Sequence, residues 1–277
     1  ELAELIGYIL AEGWHETQIQ GGSVNRVSIR NSNELIIDKF CKLVWDVFGI
    51  ETGKRKNEDN AKILDINSVM VGEFLRQFHG LYNTAGCKSV PDQILSSPKR
   101  VVVKFLSAFY DGEGSAVLDM SARTRNHVRE TVNGPKTYVY TLPSYGRLVS
   151  LRSSSLKLLE TVQILLSKLA IKSWISSDTT KIDGKEFLCY KLNVSDKESL
   201  IKFYSEIGVH TLRLKEKIGG ILESYKRNGV RKFVDFAPIT SITPAKTPDG
   251  KVYDFEVPGT HNFLSNSIIS HNSVKSQ

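Results

Sequence analysis

The chain has little of what would mark a secreted, membrane-spanning or disordered protein. Only 3 of its 277 residues are cysteine, namely Cys41, Cys87 and Cys189. Their number is odd, their spacing is wide and no Cys-x-x-Cys pair occurs. That excludes a disulfide framework and a zinc knuckle, and it suits a reducing, cytoplasmic compartment. Long apolar runs are missing too: the longest, such as Tyr8–Ala11 and Val101–Val103, are three or four residues. A bilayer span needs about twenty, so no membrane partner is expected. No charged and then apolar leader opens the chain, so no secretory signal is expected. What is present is a soluble, core-forming composition, 40% hydrophobic and 24% charged, with the length of one large domain or two ordinary ones.

Charge of one sign is in surplus. Lys and Arg number 37 against 30 Asp and Glu, a net +7. Residues 233–277 carry three lysines (Lys246, Lys251, Lys275) against four acids (Asp235, Asp249, Asp254, Glu256), so the surplus lies entirely in residues 1–232. A basic body with a nearly neutral tail suits a polyanionic partner for the body alone.

The body repeats itself. Val27-Ser-Ile-Arg-Asn-Ser recurs 122 residues later as Val149-Ser-Leu-Arg-Ser-Ser, each followed by an amphipathic run with apolar residues at helical spacing. Ile63–Asn67 with a helix over Val71–Phe78 is echoed by Lys191–Ser195 with a helix over Ser199–Ile207. Two copies of an α-β-β-α-β-β-α unit account for this economically, with halves of about 1–100 and 101–226. One stretch breaks the symmetry: 121–147, with Arg123, Arg125, Arg129, Lys136 and a Gly134-Pro135 turn, reads as a longer basic hairpin in the second copy only.

Each copy opens on a distinctive helix, Leu5-Ile-Gly-Tyr-Ile-Leu-Ala-Glu-Gly13 and Leu106-Ser-Ala-Phe-Tyr-Asp-Gly-Glu-Gly114. Small residues stand four apart on one face of both, Gly7 with Ala11 and Ala108 with Gly112. Such faces let two helix backbones approach closely. Packing them together brings Glu12 and Glu113 side by side, each followed by Gly as a helix stop. Paired carboxylates at the negative end of two helix dipoles repel, and a hydrated divalent cation would relieve them. Metal-activated hydrolysis of phosphodiesters is the chemistry such a pair suits.

Both segments resemble the signature of the LAGLIDADG homing endonucleases, over about residues 1–226. The resemblance implies an α+β fold in which two pseudo-symmetric αββαββα halves meet at the signature helices and form a DNA-binding saddle. It implies a monomer that binds double-stranded DNA and uses Mg2+ or Mn2+, with the metal-holding acids falling on Glu12 and Glu113. Ala85-Gly-Cys-Lys-Ser-Val-Pro91 resembles the family's lysine segment, which puts Lys88 near the metals. In the second copy Gly208-Val-His-Thr-Leu-Arg-Leu-Lys215 takes that place, and Arg213, Lys215 and His210 all remain open. Outward strand positions would read bases: Arg26, Ser28 and Arg30 in one half, Ser150 and Arg152 in the other. Lys54, Arg55 and Lys56 suit phosphates, and Arg123 and Arg125 join the DNA-facing set through the basic hairpin.

The tail has a different signature, Val252-Tyr-Asp-Phe-Glu-Val-Pro-Gly-Thr-His-Asn-Phe-Leu-Ser265 and then Ser267-Ile-Ile-Ser-His-Asn-Ser273. This resembles the C-terminal splicing motifs of inteins, and it implies a small all-β Hint segment over 227–272 with 273–277 a remnant of the host extein. By that resemblance Asn272 cyclises onto its own carbonyl, helped by His271 and His261, with Asp254 tuning acyl transfer and Ser273 the acceptor nucleophile. The N-terminal splicing motifs are absent, so a complementing intein part of on the order of a hundred residues is expected. The combined expectation is a site-specific endonuclease within an intein. The alternatives are a catalytically inactive DNA-binding module of the same fold and an RNA-splicing maturase.

Overall fold

The computed structural model describes residues 1–19, 22–56, 61–119, 122–131, 134–143, 146–182 and 185–227, with the short stretches 241, 243–244, 250, 262–265 and 268–271. The chain divides into two units, Glu1–Asn228 and Gly229–Gln277.

The first unit is built twice from one plan. Its first half runs α1 (Leu2–Glu12), β1 (Gly13–Ile19), β2 (Gly22–Asn31), α2 (Glu34–Phe48), β3 (Gly53–Lys56), β4 (Lys62–Ile66) and α3 (Val69–Arg76). A short α4 (Asp92–Leu95) leads into the second half. That half runs α5 (Lys99–Glu113), β5 (Gly114–Asp119), β6 (Ala122–Thr131), β7 (Gly134–Pro143), β8 (Gly146–Ser153), α6 (Leu156–Lys168), β9 (Trp174–Ile182), β10 (Lys185–Val194), α7 (Lys197–Lys202) and α8 (Leu212–Arg227). Strands order as β1-β2-β4-β3 in one antiparallel sheet and β5-β8-β10-β9 in the other, the same order twice. The extra hairpin of the second copy is β6–β7, paired along its whole length. The architecture is α+β, and among the described residues no helix is long and apolar enough to cross a membrane.

The alternation in the strands decides which face is covered. Val27, Ile29, Leu64 and Ile66 in one sheet, and Val149, Leu151, Leu192 and Val194 in the other, are completely or almost completely buried against helices. The intervening positions, Trp14, Glu16, Arg26, Ser28 and Asp65 in one sheet and Ser115, Ser150, Arg152, Lys191 and Asn193 in the other, share the opposite, outer face. Equivalent caps start the equivalent helices: the Asn33 side chain accepts from Leu35 N before α2, and that of Ser155 from Leu158 N before α6.

The two halves are held by α1 against α5. A β-carbon on Gly7 would sit 2.6 Å from the Phe105 carbonyl oxygen and 2.9 Å from Ala108 Cβ. One on Gly112 would sit 2.6 Å from Ala11 Cβ. The third position of one signature thus meets the third of the other, and the seventh meets the seventh, which makes the helices parallel. Gly13 and Gly114 end them in an unexpected way. Neither adopts the left-handed conformation of an ordinary glycine helix stop; both are extended, and each helix passes directly into a strand. Space explains the glycine, since a β-carbon on Gly114 would lie 2.2 Å from the Tyr110 carbonyl oxygen.

The contact makes a paired prediction for thermal stability. Gly7→Ala drives a methyl into a backbone carbonyl and should cost about 1–3 kcal/mol, lowering Tm by several degrees. Gly219→Ala, within α8 where nothing lies within 4 Å of the added carbon, should be neutral or stabilising by up to about 1 kcal/mol. Equal losses in the two variants would show that the α1–α5 contact is not close-packed.

Candidate functional site: a carboxylate pair between two sheets

Because α1 and α5 are parallel and in register, their last residues arrive at the same level. A β-carbon on Gly112 would be 3.3 Å from Cγ of Glu12 and 3.7 Å from its Oε1, so Glu12 lies against the turn that presents Glu113. Burial, followed by the charge of Glu113, pushes the Glu12 carboxyl up to about 7, with Lys88 opposing. Glu113 is also raised by the protein around it, although its side chain opens to solvent, and Lys88 again opposes. The Lys88 ammonium is lowered by burial despite both carboxylates, and its Nζ donates to the Leu10 carbonyl oxygen at 2.8 Å. Asn31 Nδ2 donates to Glu12 Oε1 at 3.3 Å. Glu12, Glu113 and Lys88 therefore form one cluster.

Strand register adds a pair of arginines that the sequence reading had assigned to base recognition. Gly13 lies opposite Ile29, and Gly114 opposite Leu151. One step further along the second strand of each sheet come Arg30 and Arg152, at equivalent positions of the two repeats. Arg152 lines a cavity of about 220 Å³ together with Glu113, Lys88, Leu10 and Ser153. The signal was present in the sequence, as an arginine at the same place in both repeats, but its neighbour across the strand pair was not visible there.

The second-half basic residue divides differently. Arg213 lines a separate cavity of about 270 Å³ with Asn33, Asp111, Gly112 and Lys217. Lys215 is exposed on α8. The ring of His210 turns away to Glu4, with Nε2 3.7 Å from Oε1, and the Lys39 ammonium reaches the same oxygen at 2.5 Å. Asp111 is a structural clasp that the sequence reading missed. One of its oxygens accepts from His210 N, Thr211 N and Thr211 Oγ1 at 2.7, 2.9 and 3.0 Å, and Tyr8 donates its hydroxyl to the other at 3.3 Å.

On the outer face of the first sheet, Asp65 is 3% exposed and organises the cations around it. Arg55 donates to both its oxygens at 2.6 and 2.7 Å, and Ser28 Oγ donates to it at 2.7 Å. Burial pushes Asp65 up, but these bonds outweigh it and hold the carboxyl below its ordinary value. Arg26 pairs with Glu16 at 3.4 Å. In the second sheet Arg152 pairs with Asp178, Lys191 stands 3.5 Å from the same carboxylate, and the hydroxyls of Ser150 and Ser115 are 2.9 Å apart. Glu16, Asp65 and Asp178 were not anticipated on these faces.

Lys54 stands apart from the other basic candidates of its sheet. It lies opposite Leu64, a core residue, and lines a surface cavity with Cys41, Trp45 and Asp46 of α2. It is thus on the helix-covered side and not among the outer-face residues. The side chains of Lys56, Arg123 and Arg125 lie outside those described, although their backbones belong to β3 and β6. In the tail, β11 (Asn262–Ser265) pairs with β12 (Ile268–His271), with Asn262 opposite His271. Asp254, His261, Asn272 and Ser273 lie outside the described residues.

Two carboxylates with raised proton affinity and one half-buried, lowered ammonium fit a hard divalent cation. Among the described residues no group of three or more His, Cys, Asp or Glu is available to cage a metal, so water would complete its shell. Residues 137–208 match the LAGLIDADG-like domain. A crystal structure of I-DmoI in complex with DNA and Mn shares the fold, with a TM-score of 0.50 and 18% identity over 76% of this chain and 97% of that one. One of I-DmoI with DNA and Ca also gives 0.50, at 15% identity over 80% and 96%. The fold is that of the LAGLIDADG homing endonucleases. Two curated proteins resemble this chain along 99% of its length. One is the glutamine–fructose-6-phosphate aminotransferase of Methanocaldococcus jannaschii, 21% identical, and the other a DNA polymerase of Thermococcus hydrothermalis, 26% identical. The chain spans 27% and 15% of the lengths of those two proteins.

The raised Glu12 carboxyl gives a pH prediction for the metal-free protein. Its proton affinity is higher in the folded state, about 7, than the ordinary 4.5 of the unfolded chain. The stabilisation is therefore complete below the unfolded value and is lost as pH rises through the folded one. Glu12→Gln, which cannot ionise, should gain on the order of 1–2 kcal/mol over the wild type between about pH 5 and pH 8, after solvent screening. Melting curves in chelator measure this, and a difference independent of pH would contradict it.

Proposed function

We propose that this chain is a site-specific, metal-dependent endonuclease for double-stranded DNA, carried within an intein. One observation supports it above the rest: Glu12 and Glu113 are forced together at the C-termini of two packed helices, between the outer faces of two basic-bodied sheets. Glu12 and Glu113 would hold Mg2+ or Mn2+, which when bound supplies charge neutralisation and water activation at a phosphodiester. Lys88 is placed to stabilise negative charge developing on the phosphate oxygens. Arg152, which shares a cavity with Glu113, and Arg30 at the equivalent position of the first sheet orient the phosphates entering the site. Arg26 and Arg55 on the outer face contact duplex DNA, exchanging carboxylate partners for bases or phosphates, while the buried Ser28 and Ser150 brace the strands beneath. An inactive DNA-binding module is disfavoured, because Glu12, Glu113 and Lys88 are all present and gathered in one cluster.

The intein reading has separate support. An aminotransferase and a DNA polymerase have no chemistry in common, yet each contains a stretch matching 99% of this chain. An element inserted into different hosts accounts for that pattern. The alignments cover the tail with its Val252–Ser265 and Ser267–Ser273 motifs, where Asn272, His271, His261, Asp254 and Ser273 would perform C-terminal cleavage once an N-terminal splicing part completes the domain.

Two experiments test these roles. Glu12→Gln or Glu113→Gln should reduce double-strand cleavage in magnesium by at least about 100-fold while changing DNA affinity little, since a neutral side chain relieves repulsion with phosphate. Normal cleavage by either variant would refute the assignment. On complementation with an N-terminal splicing fragment, the peptide Ser273-Val-Lys-Ser-Gln should be released or joined to the upstream flank. Mass spectrometry follows it, and unchanged release from Asn272→Ala would rule out asparagine cyclisation.

A further inference from the structure

Lys88 reaches the carboxylate pair from a segment with little structure of its own. It follows a short helical turn at Ala85–Cys87 and precedes α4, and its backbone is extended, with φ −57° and ψ 147°. Its own half adds a long bond next to it, from Ser89 N to the Gly80 carbonyl oxygen at 3.4 Å. The second half grips the segment more firmly. Ser155 Oγ donates to the Lys88 carbonyl oxygen at 2.7 Å, Thr161 Oγ1 accepts from Val90 N at 3.3 Å, and the Lys168 ammonium reaches the Leu95 carbonyl oxygen. These three residues stand at the start, middle and end of α6, so that helix runs along the linker between the halves as a splint.

Ser155 does two things with one oxygen. It is completely buried. Its Oγ accepts from Leu158 N at 3.2 Å, which caps α6, and its O–H proton goes to Lys88. Its own N–H donates to Ser153 Oγ at 3.0 Å, and Ser153 lines the cavity of Glu113, Lys88 and Arg152. Capping alone is served as well by Asp or Asn. Asp has no proton to give at neutral pH, and only a hydroxyl accepts and donates through the same atom. Asn33, the equivalent cap before α2, lines the other cavity with Asp111 and Arg213.

We propose that Ser155 is the positioning residue of Lys88. Its hydroxyl, itself set by the α6 cap, fixes the Lys88 peptide so that the ammonium is held on the Leu10 carbonyl oxygen in the cluster with Glu12 and Glu113. Being buried, Ser155 acts through Lys88 and not on a phosphate itself. The residue delivered by one half is thus aimed by the other. This inference rests on the endonuclease reading above.

The test uses the full chain in magnesium, with a duplex site selected from a randomised library. In Ser155→Ala the single-turnover cleavage rate should fall about 10- to 100-fold, with DNA affinity changed less than about twofold. Ser155→Thr, which keeps the hydroxyl, should recover most of the rate. With Lys88→Met already present, Ser155→Ala should cost nothing further. Ser68→Ala removes the cap of α3, where Ser68 Oγ accepts from Val71 N, and should lower Tm without slowing cleavage. A readout independent of cleavage is lysine acylation followed by peptide mass spectrometry. Lys88 should react several-fold faster in Ser155→Ala than in the wild type, relative to the exposed Lys42. If Ser155→Ala does not fold, Ser155→Gly gives the same readouts, since glycine is an accepted cap. Equal losses with and without Lys88→Met, or unchanged acylation of Lys88, would overturn the positioning role and leave the endonuclease reading standing. A wild type that cuts no duplex in magnesium overturns that reading, and the acylation of Lys88 still decides whether Ser155 holds it.

Discussion

Everything in the first unit depends on how closely two helix backbones approach. Gly7 against Ala108 and Ala11 against Gly112 remove side-chain bulk where α1 meets α5, and the carbonyl of Phe105 leaves no room for a methyl on Gly7. Parallel helices packed this tightly must end together, and the residue that follows the last small position in each is a glutamate. The carboxylates are thus held together at the unfavourable end of both helix dipoles, Glu12 half-buried and Glu113 opening to solvent. Lys88 and Asn31 lean on them, but burial still leaves Glu12 with a carboxyl near 7. A stable packing contact and a poised charge cluster are the same feature.

The helix ends also position the sheets. Gly13 and Gly114 lead straight into β1 and β5 without a loop, so each outer face begins at a carboxylate. Arg152 shares a cavity with Glu113, and Asn31 reaches Glu12, for that reason, each from the neighbouring strand. The same chain geometry carries the catalytic candidates and the outer-face candidates without an intervening hinge.

Upon this near-symmetry the two halves differ in chemistry. At the sixth signature position, Leu10 contributes only a backbone oxygen to Lys88, whereas the Asp111 carboxylate clasps His210 and Thr211 before α8. Asp65 gathers Arg55 and Ser28 on one sheet, while the equivalent Asn193 of the other bonds Ser176. The β6–β7 hairpin belongs to one half alone. A duplicated scaffold with unlike surfaces suits an unlike pair of half-sites, which a true dimer cannot provide.

The sequence by itself determined the repeat, the signature helices, the carboxylate pair and Lys88, because small residues at helical spacing and a repeated strand pattern are local and periodic. It also showed the tail motifs, whose order of residues is distinctive without any structure. Tertiary structure alone decided which cations belong together. Arg152 reached the Glu113 cavity and Lys54 went to the helix-covered side through strand register, which depends on pairing between distant segments. Asp65 and Asp111 became organisers because burial, not residue type, makes a carboxylate demand several donors.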